Sequence, residues 1–288
     1  MTSPTFAEIL HARMLEQNTR LCLGLDPRPE MHPSTDPRKN GFDLQATALA
    51  VETHCLEVLE ACAPFVAVVK PNIAYYEALG IPGLEAMLRI CANARLLGVP
   101  VILDAKRGDF PSTAEAYARA WLTGSSAGDA LTVNPFLGFE TLEPFLRAAR
   151  ENSGAIFVLV KTSNPGSADI QNLETTEGRI SDLIAAHLAH EARGGYGAVG
   201  AVVGATHANE LEHFRKAMPN VMLLLPGLGV QGAKAKDLAA AFDHDGLGAV
   251  ASASRALQYA SLGADYAKAA QEAARGLRDE LNVALQRP

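Results

Sequence analysis

Eight short apolar segments recur along the chain, and each is followed by a longer stretch with the pattern of an amphipathic helix. The eight segments are Leu21–Asp26, Phe65–Lys70, Val99–Asp104, Ala130–Asn134, Ala155–Val160, Ala198–Gly204, Val221–Leu225 and Leu247–Ser252. Strands buried on both faces read as continuous apolar runs, and strands that alternate with helices form parallel sheets. Eight such units in 288 residues favour a closed (β/α)₈ barrel over an open doubly wound sheet.

The segments between these strands have the composition and period of helices. They are Ala46–Ala61, Gly83–Leu97, Thr113–Thr123, Thr141–Glu151, Arg179–Arg193, Asn209–Ala217 and Ala233–Phe242, and an Ala-rich, charged segment, Asp265–Gln286, follows the last strand. Barrels of this kind commonly use about 250 residues as one unit. We therefore predict an α/β protein with a single (β/α)₈ TIM-barrel domain over residues 1–288, with N-terminal and C-terminal helical extensions.

The composition is typical of an enzyme with a large aliphatic core. Hydrophobic residues make up 48% of the chain, charged residues 20% and aromatic residues 6%. The net charge of −7 argues against binding to the phosphate backbone of nucleic acid. No apolar run reaches about 18 residues, so we expect no membrane span, and the first residues do not have the pattern of a secretory signal.

The cysteines predict a reducing compartment. The four of them, Cys22, Cys55, Cys62 and Cys91, lie in apolar contexts without the spacing of metal ligands. Buried free cysteines behave as small apolar residues, and disulfides are rare inside cells. We expect a cytoplasmic protein whose cysteines are reduced core residues and which has no metal site.

The most distinctive stretch of the chain is Asp104–Thr113, which reads D-A-K-R-G-D-F-P-S-T. Residues two apart on a strand share a face, so we expect Asp104 and Lys106 to point together into the mouth of the barrel. Lys70 ends the neighbouring second strand and is expected to lie beside Asp104. Asp109 comes three residues after Lys106 and need not face the same cavity, because it could reach the site of a neighbouring subunit instead.

This row of alternating lysine and aspartate has two interpretations. Such groups can form a structural network of ion pairs at the rim of a barrel. The chemistry of barrel enzymes, however, takes place at the carboxyl ends of the strands, and burying several charges is costly unless they have a function. The four charges together therefore favour an active site. Asp26, which ends the first strand, is ambiguous by itself because Asp-Pro is also common in turns.

A glycine-rich segment, Pro226–Gly232, follows the seventh apolar segment and contains G-x-G-x-x-G. A dinucleotide site is disfavoured, because the motif lies late in the chain and no acidic residue closes a second strand about 20 positions later. A cradle for a single phosphate group fits better, with Gln231 and the guanidinium of Arg255 as further ligands. A plain turn followed by a surface arginine is the alternative.

Two long irregular segments follow predicted strands and are expected to border the same end of the barrel. Thr162–Glu177 is longer than a plain connection and is a candidate lid. The segment from Pro27 to Gly41 is rich in turn-forming residues.

Taken together, these motifs resemble the orotidine 5′-phosphate decarboxylase family, in particular its longer bacterial members, whose active-site strand reads D-A-K-R-G-D. The resemblance covers nearly the whole chain and includes Leu23–Pro27, Lys70–Asn72, Asp104–Thr113, Thr132–Pro135, Lys161–Gly166, Pro226–Gly232 and Ser254–Arg255. Phe110 stands where shorter members have Ile, which changes only apolar packing. The resemblance implies decarboxylation of orotidine 5′-phosphate to uridine 5′-phosphate, the last step of uridine monophosphate synthesis, without a cofactor.

The resemblance also implies catalytic roles. Lys106 is the proton donor to C6 of the pyrimidine, and Asp104 lies beside the departing carboxylate. Lys70 orders the charge row and contacts the ribose. Asp109 and Thr113 of one protomer of a homodimer complete the site of the other protomer, where they meet the ribose hydroxyl.

The substrate is implied to be held by four further residues. Asp26 binds the ribose, Ser163 binds the amide edge of the pyrimidine, and Gln231 with Arg255 binds the phosphate. The expected partners are orotidine 5′-phosphate, uridine 5′-phosphate and a second copy of the chain, with neither nucleic acid nor a membrane.

Three other functions remain open at this point. A metal-dependent sugar-phosphate decarboxylase, or another member of the wider barrel group, uses the same D-x-K-x-x-D strand, but Lys70 stands where a metal site would prefer a carboxylate. A Schiff-base aldolase needs a neutral lysine, whereas Lys106 between Asp104 and Asp109 should remain an ammonium. A non-catalytic nucleotide-binding barrel would use the phosphate and ribose contacts for recognition alone.

Overall fold

The computed structural model describes residues 3–123, 128–205, 208–229 and 233–286. The described chain contains eight strands in one parallel sheet: β1 Leu21–Leu25, β2 Val68–Pro71, β3 Ile102–Arg107, β4 Ala130–Val133, β5 Ala155–Lys161, β6 Val199–Val203, β7 Met222–Pro226 and β8 Ala249–Ala253. Their hydrogen-bonded order is β2, β1, β8, β7, β6, β5, β4, β3. Parallel bridges from Val69 to Val101 and from Asn72 to Asp104 join the two end strands. The predicted barrel is thereby confirmed.

Two strands, β2 and β3, begin three residues later than predicted. Ala63–Phe65 forms a 3₁₀ turn, so β2 begins only at Val68. β3 begins at Ile102 and continues through the first charged residues to Arg107. The register of β3 against β4 shifts between Leu103 and Arg107. The first part of the charged stretch therefore lies within an irregular strand and not in the loop that follows it.

Helices surround the barrel and close one of its ends. They are α1 Phe6–Glu16, α2 Leu44–Cys62, α3 Ile73–Glu77, α4 Gly80–Leu96, α5 Pro111–Ala118, α6 Glu143–Glu151, α7 Ala168–Gln171, α8 Ile180–Glu191, α9 Ala208–Ala217, α10 Ala235–Leu238, α11 Arg255–Gln258 and α12 Tyr266–Leu285. A π-helical turn, Arg119–Thr123, continues α5, and a small antiparallel hairpin pairs Glu174–Thr175 with Gly178–Arg179. Of the helices that the structure describes, none has the length and apolar character needed to cross a membrane.

The segments after β2 and before β8 differ from the prediction. Helix α3 follows β2 directly and is only five residues long, so no helical period is visible in the sequence. It begins where the Asn72 side chain accepts a hydrogen bond from the N–H of Ala74. The segment predicted as a helix from Ala233 to Phe242 contains only the short helix α10 and the 3₁₀ turn Ala239–Ala241.

The core has two layers. Side chains on the outer face of the barrel pack against the surrounding helices, and alternate strand residues such as Val68 and Phe157 fill the interior. Phe6, Leu10 and Met14 of α1 join the interior layer and close the barrel at the amino ends of the strands. The ring of Phe6 meets the ring of Phe157 edge-on, with centroids 6.0 Å apart. The four cysteines are free and buried, as predicted.

Candidate active site

The interior of the barrel changes from apolar to polar toward the carboxyl ends of the strands. On β2 the buried Val68 is followed two residues later by Lys70, and on β3 Ile102 is followed by Asp104, because alternate residues share a face. A cavity at this end is lined by Asp26, Arg28, Lys70, Tyr75, Asp104, Pro226, Gly227, Leu228, Ser252, Ser254, Arg255 and Ala256. Barrel enzymes hold their substrates at this end.

Asp104 is the centre of a row of charges. Its Oδ2 accepts a hydrogen bond from Lys70 Nζ at 2.8 Å, and its Oδ1 accepts one from Lys106 Nζ at 2.5 Å. The side chains of Lys70 and Asp104 are 6% and 10% exposed, whereas that of Lys106 is 48% exposed. Buried charges are tolerated when each has a hydrogen-bonded partner. The ammonium of Lys106 is therefore the member of the row that is most accessible to a bound molecule.

The two buried members of the row keep their charges near neutral pH. Burial alone would raise the pKa of the Asp104 carboxyl, but the ammonium groups of Lys70 and Lys106 hold this pKa well below its ordinary value. Burial alone would lower the pKa of Lys70, but the carboxylates of Asp104 and Asp26 raise it above its ordinary value. Lys70 is thus an ammonium and Asp104 a carboxylate throughout the physiological range.

Lys106 has an unusual backbone conformation. Its φ of +48° lies in the left-handed region, which residues with a side chain rarely adopt. This conformation falls within the register shift of β3. Strained backbone of this kind persists only where the surrounding structure fixes it, and it is concentrated at functional sites.

Asp26 lies in the same cavity as Lys70. Its backbone N–H donates a hydrogen bond to Gln258 Oε1 at 2.7 Å. Its side-chain Oδ1 is buried and has no hydrogen-bond partner in the described part of the chain. Because a buried carboxylate oxygen without a donor is costly, this oxygen is suited to accept a hydrogen bond from a ligand hydroxyl.

The residues proposed from sequence to hold a phosphate are only partly described. Arg255 is the first residue of α11 and lines the cavity. Gln231 lies outside the described residues. Pro226, Gly227 and Leu228 of the glycine-rich loop also line the cavity, and Gly227 and Gly229 have φ values of +116° and +88°. These values favour glycine and allow the loop backbone to turn closely at the end of β7.

Four of the described candidate residues do not line this cavity. One is Lys106, whose ammonium nevertheless contacts the lining residue Asp104. Asp109 is partly buried, and its Oδ1 accepts a hydrogen bond from the N–H of Phe110 at 2.8 Å. Thr113 is exposed in the first turn of α5. Ser163 follows β5 and lies against the end of β6, where a Cβ added to Gly204 would be 2.7 Å from Ser163 N. The candidate residues that the structure brings together are Asp26, Lys70, Asp104, Lys106 and Arg255.

The chain matches one known protein family over most of its length. The sequence model of the orotidine 5′-phosphate decarboxylase / HUMPS family matches residues 19–272. The chain belongs to this family. A relative named orotidine 5′-phosphate decarboxylase from Deinococcus radiodurans is 56% identical over 287 residues, which cover 98% of this chain and 99% of that protein.

Solved structures of the decarboxylase family have the same fold. The structure of Leishmania donovani OMP decarboxylase matches with a TM-score of 0.79 at 32% identity and covers 99% of this chain and 100% of that one. The structure of Leishmania donovani UMP synthase matches with a TM-score of 0.83 at 32% identity. That match covers 98% of this chain but 56% of the synthase chain, so this family member spans little more than half of the synthase.

Two residues that the sequence patterns do not mark line the cavity of this family member. Arg28 Nη2 donates a hydrogen bond to Tyr75 Oη at 3.1 Å, and the guanidinium carbon lies 5.6 Å from the centroid of the Tyr75 ring. The N–H of Arg28 donates to Tyr259 Oη at 2.6 Å. The position of Arg28 directly after Asp26-Pro27 is a signal that could have identified it. Tyr75 belongs to α3, which has no visible helical period.

The candidate lid, Thr162–Glu177, is tied to the end of β5. Lys161 Nζ donates a hydrogen bond to Asn172 Oδ1 at 2.6 Å. The Gln171 side chain accepts from the N–H of Thr162 at 2.8 Å and donates to its hydroxyl at 2.9 Å. The segment expected to be irregular therefore contains a 3₁₀ turn, α7 and part of the hairpin. Its role as a lid stays a prediction.

Proposed function

We propose that the protein decarboxylates orotidine 5′-phosphate to uridine 5′-phosphate without a cofactor, as the last step of uridine monophosphate synthesis. The observation that carries this proposal is the charge row of Lys70, Asp104 and Lys106 at the carboxyl ends of β2 and β3. Asp26 and Arg255 line the cavity beside it. The family match and the Deinococcus relative support the same reaction.

Lys106 is proposed to stabilise and protonate the product carbanion. The bond between C6 and the carboxylate breaks, CO₂ leaves, and the electron pair stays on C6, where the ring delocalises it poorly. An ammonium group next to this carbon stabilises the charge as it forms and supplies a proton. The accessible ammonium of Lys106 supports this role. The resulting amine recovers a proton from solvent before the next turnover.

No single contact accounts for a reaction of this difficulty. Two charges about 4 Å apart at an effective dielectric constant near 20 interact by about 4 kcal/mol, whereas the slowest uncatalysed reactions require about 20 kcal/mol or more. Contacts far from C6 must therefore hold the carboxylate against Asp104. Arg255 and Gln231 are proposed to bind the phosphate, Asp26 the ribose, and Ser163 the amide edge of the pyrimidine.

We further propose a homodimer in which Asp109 and Thr113 complete the site of the partner. Neither residue lines the cavity of its own chain. Phe110, which lies between them in sequence, is 68% exposed, and Phe136, after β4, is 74% exposed. Large exposed apolar side chains on neighbouring loops are typical of a protein contact surface. A cytoplasmic location, part of the same proposal, is supported by the free cysteines.

The ultraviolet absorbance of orotidine 5′-phosphate tests the reaction. Adding pure protein should make the absorbance fall to that of uridine 5′-phosphate. Lys106→Ala should lower kcat by about 10⁴-fold, since general acid catalysis contributes up to this amount, while uridine 5′-phosphate still binds. A folded protein that binds the product but leaves the absorbance unchanged would be a nucleotide-binding barrel. Turnover that stops with a chelator would restore the metal-dependent alternative.

A further inference from the structure

The hydroxyl of Thr132 connects the main chain of β3 with the charge row. Thr132 lies on β4 and is 1% exposed. Its Oγ1 accepts hydrogen bonds from the N–H groups of Ala105 and Lys106, each at 2.9 Å. The same hydroxyl donates to Asp104 Oδ1 at 3.1 Å. A threonine hydroxyl has one proton and two lone pairs, so three consecutive residues of β3 use its full capacity.

The irregular register of β3 explains why a side chain is needed here. β3 pairs with β4 at Leu103 and Leu131, and the next pair is Arg107 with Val133. β3 thus advances by four residues (103 to 107) while β4 advances by two (131 to 133). Within this bulge the N–H groups of β3 are out of register with the carbonyl groups of β4, so the regular ladder of hydrogen bonds is interrupted. A buried N–H without an acceptor destabilises the fold, and the Thr132 hydroxyl accepts hydrogen bonds from two such groups.

The same hydroxyl fixes the geometry of the ion pair. Lys106 has a φ of +48°, and this left-handed conformation is unfavourable for a residue with a side chain. The hydrogen bond from its N–H to Thr132 holds this conformation, from which its ammonium reaches Asp104 Oδ1. Because both lone pairs of the hydroxyl are occupied, its proton is directed at that oxygen. Asp104 Oδ1 is therefore held from two sides, by Lys106 and by Thr132.

We propose that Thr132 is a positioning residue that sets the relative orientation of Asp104 and Lys106 for decarboxylation. This inference rests on the proposed function. Without the hydroxyl, the Lys106 backbone can relax from its left-handed conformation, which moves the ammonium away from C6. A displacement of about 1 Å in a reacting group lowers a rate by about 100-fold. Among the described residues, Asp26 and Arg255, which are proposed to bind ribose and phosphate, form no hydrogen bond with Thr132, so nucleotide affinity should be retained.

Two pairs of side chains isolate the hydroxyl. Threonine and valine have the same shape, and serine and alanine differ by one oxygen atom. We would measure kcat and KM for orotidine 5′-phosphate, and Kd for uridine 5′-phosphate, in the wild type and in Thr132→Val, Thr132→Ser and Thr132→Ala. We expect kcat about 100-fold lower in the valine and alanine variants and most of it restored by serine, with KM and Kd changed by less than about threefold.

The inference would be overturned if Thr132→Val had the kcat of the wild type, or if Thr132→Ser and Thr132→Ala had equal kcat values. Should the valine variant fail to fold, the serine and alanine pair still decides. A crystal structure of Thr132→Ala gives a readout that does not depend on activity: Lys106 should leave the left-handed region, and an unchanged Lys106 would contradict the proposal. A wild-type protein without decarboxylase activity would instead refute the proposed function.

Discussion

The charge of Asp104 contributes to the stability of the fold. Its folded pKa lies well below its ordinary value, whereas an aspartate in the unfolded chain has a pKa of about 3.9. A carboxyl group whose folded pKa is lowered stabilises the protein above the unfolded pKa. This contribution is lost as the pH falls from there through the folded pKa. The ion pairs of Asp104 should therefore be fully stabilising at every pH above about 5.

Asp104→Asn tests this contribution directly. We expect the variant to lose about 3–5 kcal/mol of unfolding free energy at pH 7, because the buried ammonium of Lys70 no longer has a counter-charge on Asp104. The difference from the wild type should shrink as the pH falls below about 4. Urea unfolding between pH 7 and pH 3 measures it. Glu212→Gln, which breaks an exposed ion pair with Lys216, should change little at any pH. A difference that does not depend on pH would contradict this account.

His54 is a second buried titratable group and lies among aromatic rings. Its ring stacks on that of Tyr266 with centroids 4.5 Å apart, and the ring of His32 lies 4.8 Å away. Burial, and then the proximity of His32, lowers the pKa of His54 to about 4. In the unfolded chain the pKa of histidine is about 6.5, so as the pH falls the unfolded state is protonated before the folded state. The contribution of neutral His54 is complete above about pH 6.5 and is lost toward pH 4.

Substituting His54 by phenylalanine should remove this sensitivity to acid. Between pH 7 and pH 5 the wild type should lose about 2 kcal/mol of unfolding free energy through this group, and His54→Phe should lose correspondingly less. Phenylalanine keeps an aromatic ring against Tyr266. His244→Gln, at an exposed histidine, provides the matched control. Equal slopes of stability against pH for His54→Phe and the wild type would exclude this role of His54.

Helix α1 is part of the barrel core although it precedes the first strand. Leu10 is fully buried in the interior layer, while Ile9 on the same helix is 41% exposed. The helix begins with a capping box in which Thr5 and Glu8 hydrogen-bond to each other's backbone N–H groups. It lies at the opposite end of the barrel from the charge row. Its packing should therefore affect stability and leave the chemistry unchanged.

Leu10→Ala should lower the unfolding free energy by about 2–5 kcal/mol, since it removes buried methyl groups and leaves a cavity. Ile9→Ala on the same helix should cost less than about 1 kcal/mol. Chemical denaturation of both variants, with kcat measured in parallel, checks the expectation. Similar losses of unfolding free energy in the two variants would contradict the burial of Leu10 as the cause. A large change of kcat in Leu10→Ala would show that the packing of α1 also affects catalysis.

The sequence predicts the barrel well because its strands are buried on both faces. Apolar runs then stand out against the amphipathic helices, and a parallel sheet with short connections leaves few arrangements. Helix α3 is missing from the prediction because five residues are too few to show a period. The helix predicted to begin at Ala233 is divided into the four-residue helix α10 and the 3₁₀ turn Ala239–Ala241.

The charge row was predictable, whereas its supporting contacts were not. Lys70 and Asp104 end neighbouring parallel strands, and that alone brings them together. The left-handed conformation of Lys106 and the contacts of Thr132 depend on a register shift between two strands, which no local pattern encodes. Tyr75 enters the cavity from the unpredicted helix α3. Contacts that depend on the pairing of distant segments are therefore the part that sequence patterns miss.

The proposed dimer predicts that two inactive variants restore each other. A protomer with Lys106→Ala keeps Asp109, and a protomer with Asp109→Ala keeps Lys106. In a mixed dimer, the site that contains Lys106 receives Asp109 from its partner and is complete. With random exchange, half of the dimers are mixed and each has one complete site, so about a quarter of wild-type activity should return.

Subunit exchange of the two purified variants, followed by the decarboxylase assay, measures this restoration. Each variant alone should be nearly inactive, and mixing either variant with more of itself is the control. If Asp109 acted on the site of its own chain, the mixed dimer would contain no complete site. Activity would then stay at the level of the separate variants, although sedimentation would still detect dimers.

The hydrogen bonding around the barrel is interrupted between β2 and β3. There the described strands are connected by two isolated bridges and not by a continuous ladder. The ion pair of Lys70 and Asp104 crosses this junction. Lys70 and Asp104, which are proposed to act on the substrate, thus also connect β2 with β3. If Lys70 and Asp104 were substituted to support a new reaction, another contact between β2 and β3 would have to replace their ion pair. New activities on this scaffold should therefore arise through paired substitutions across the junction.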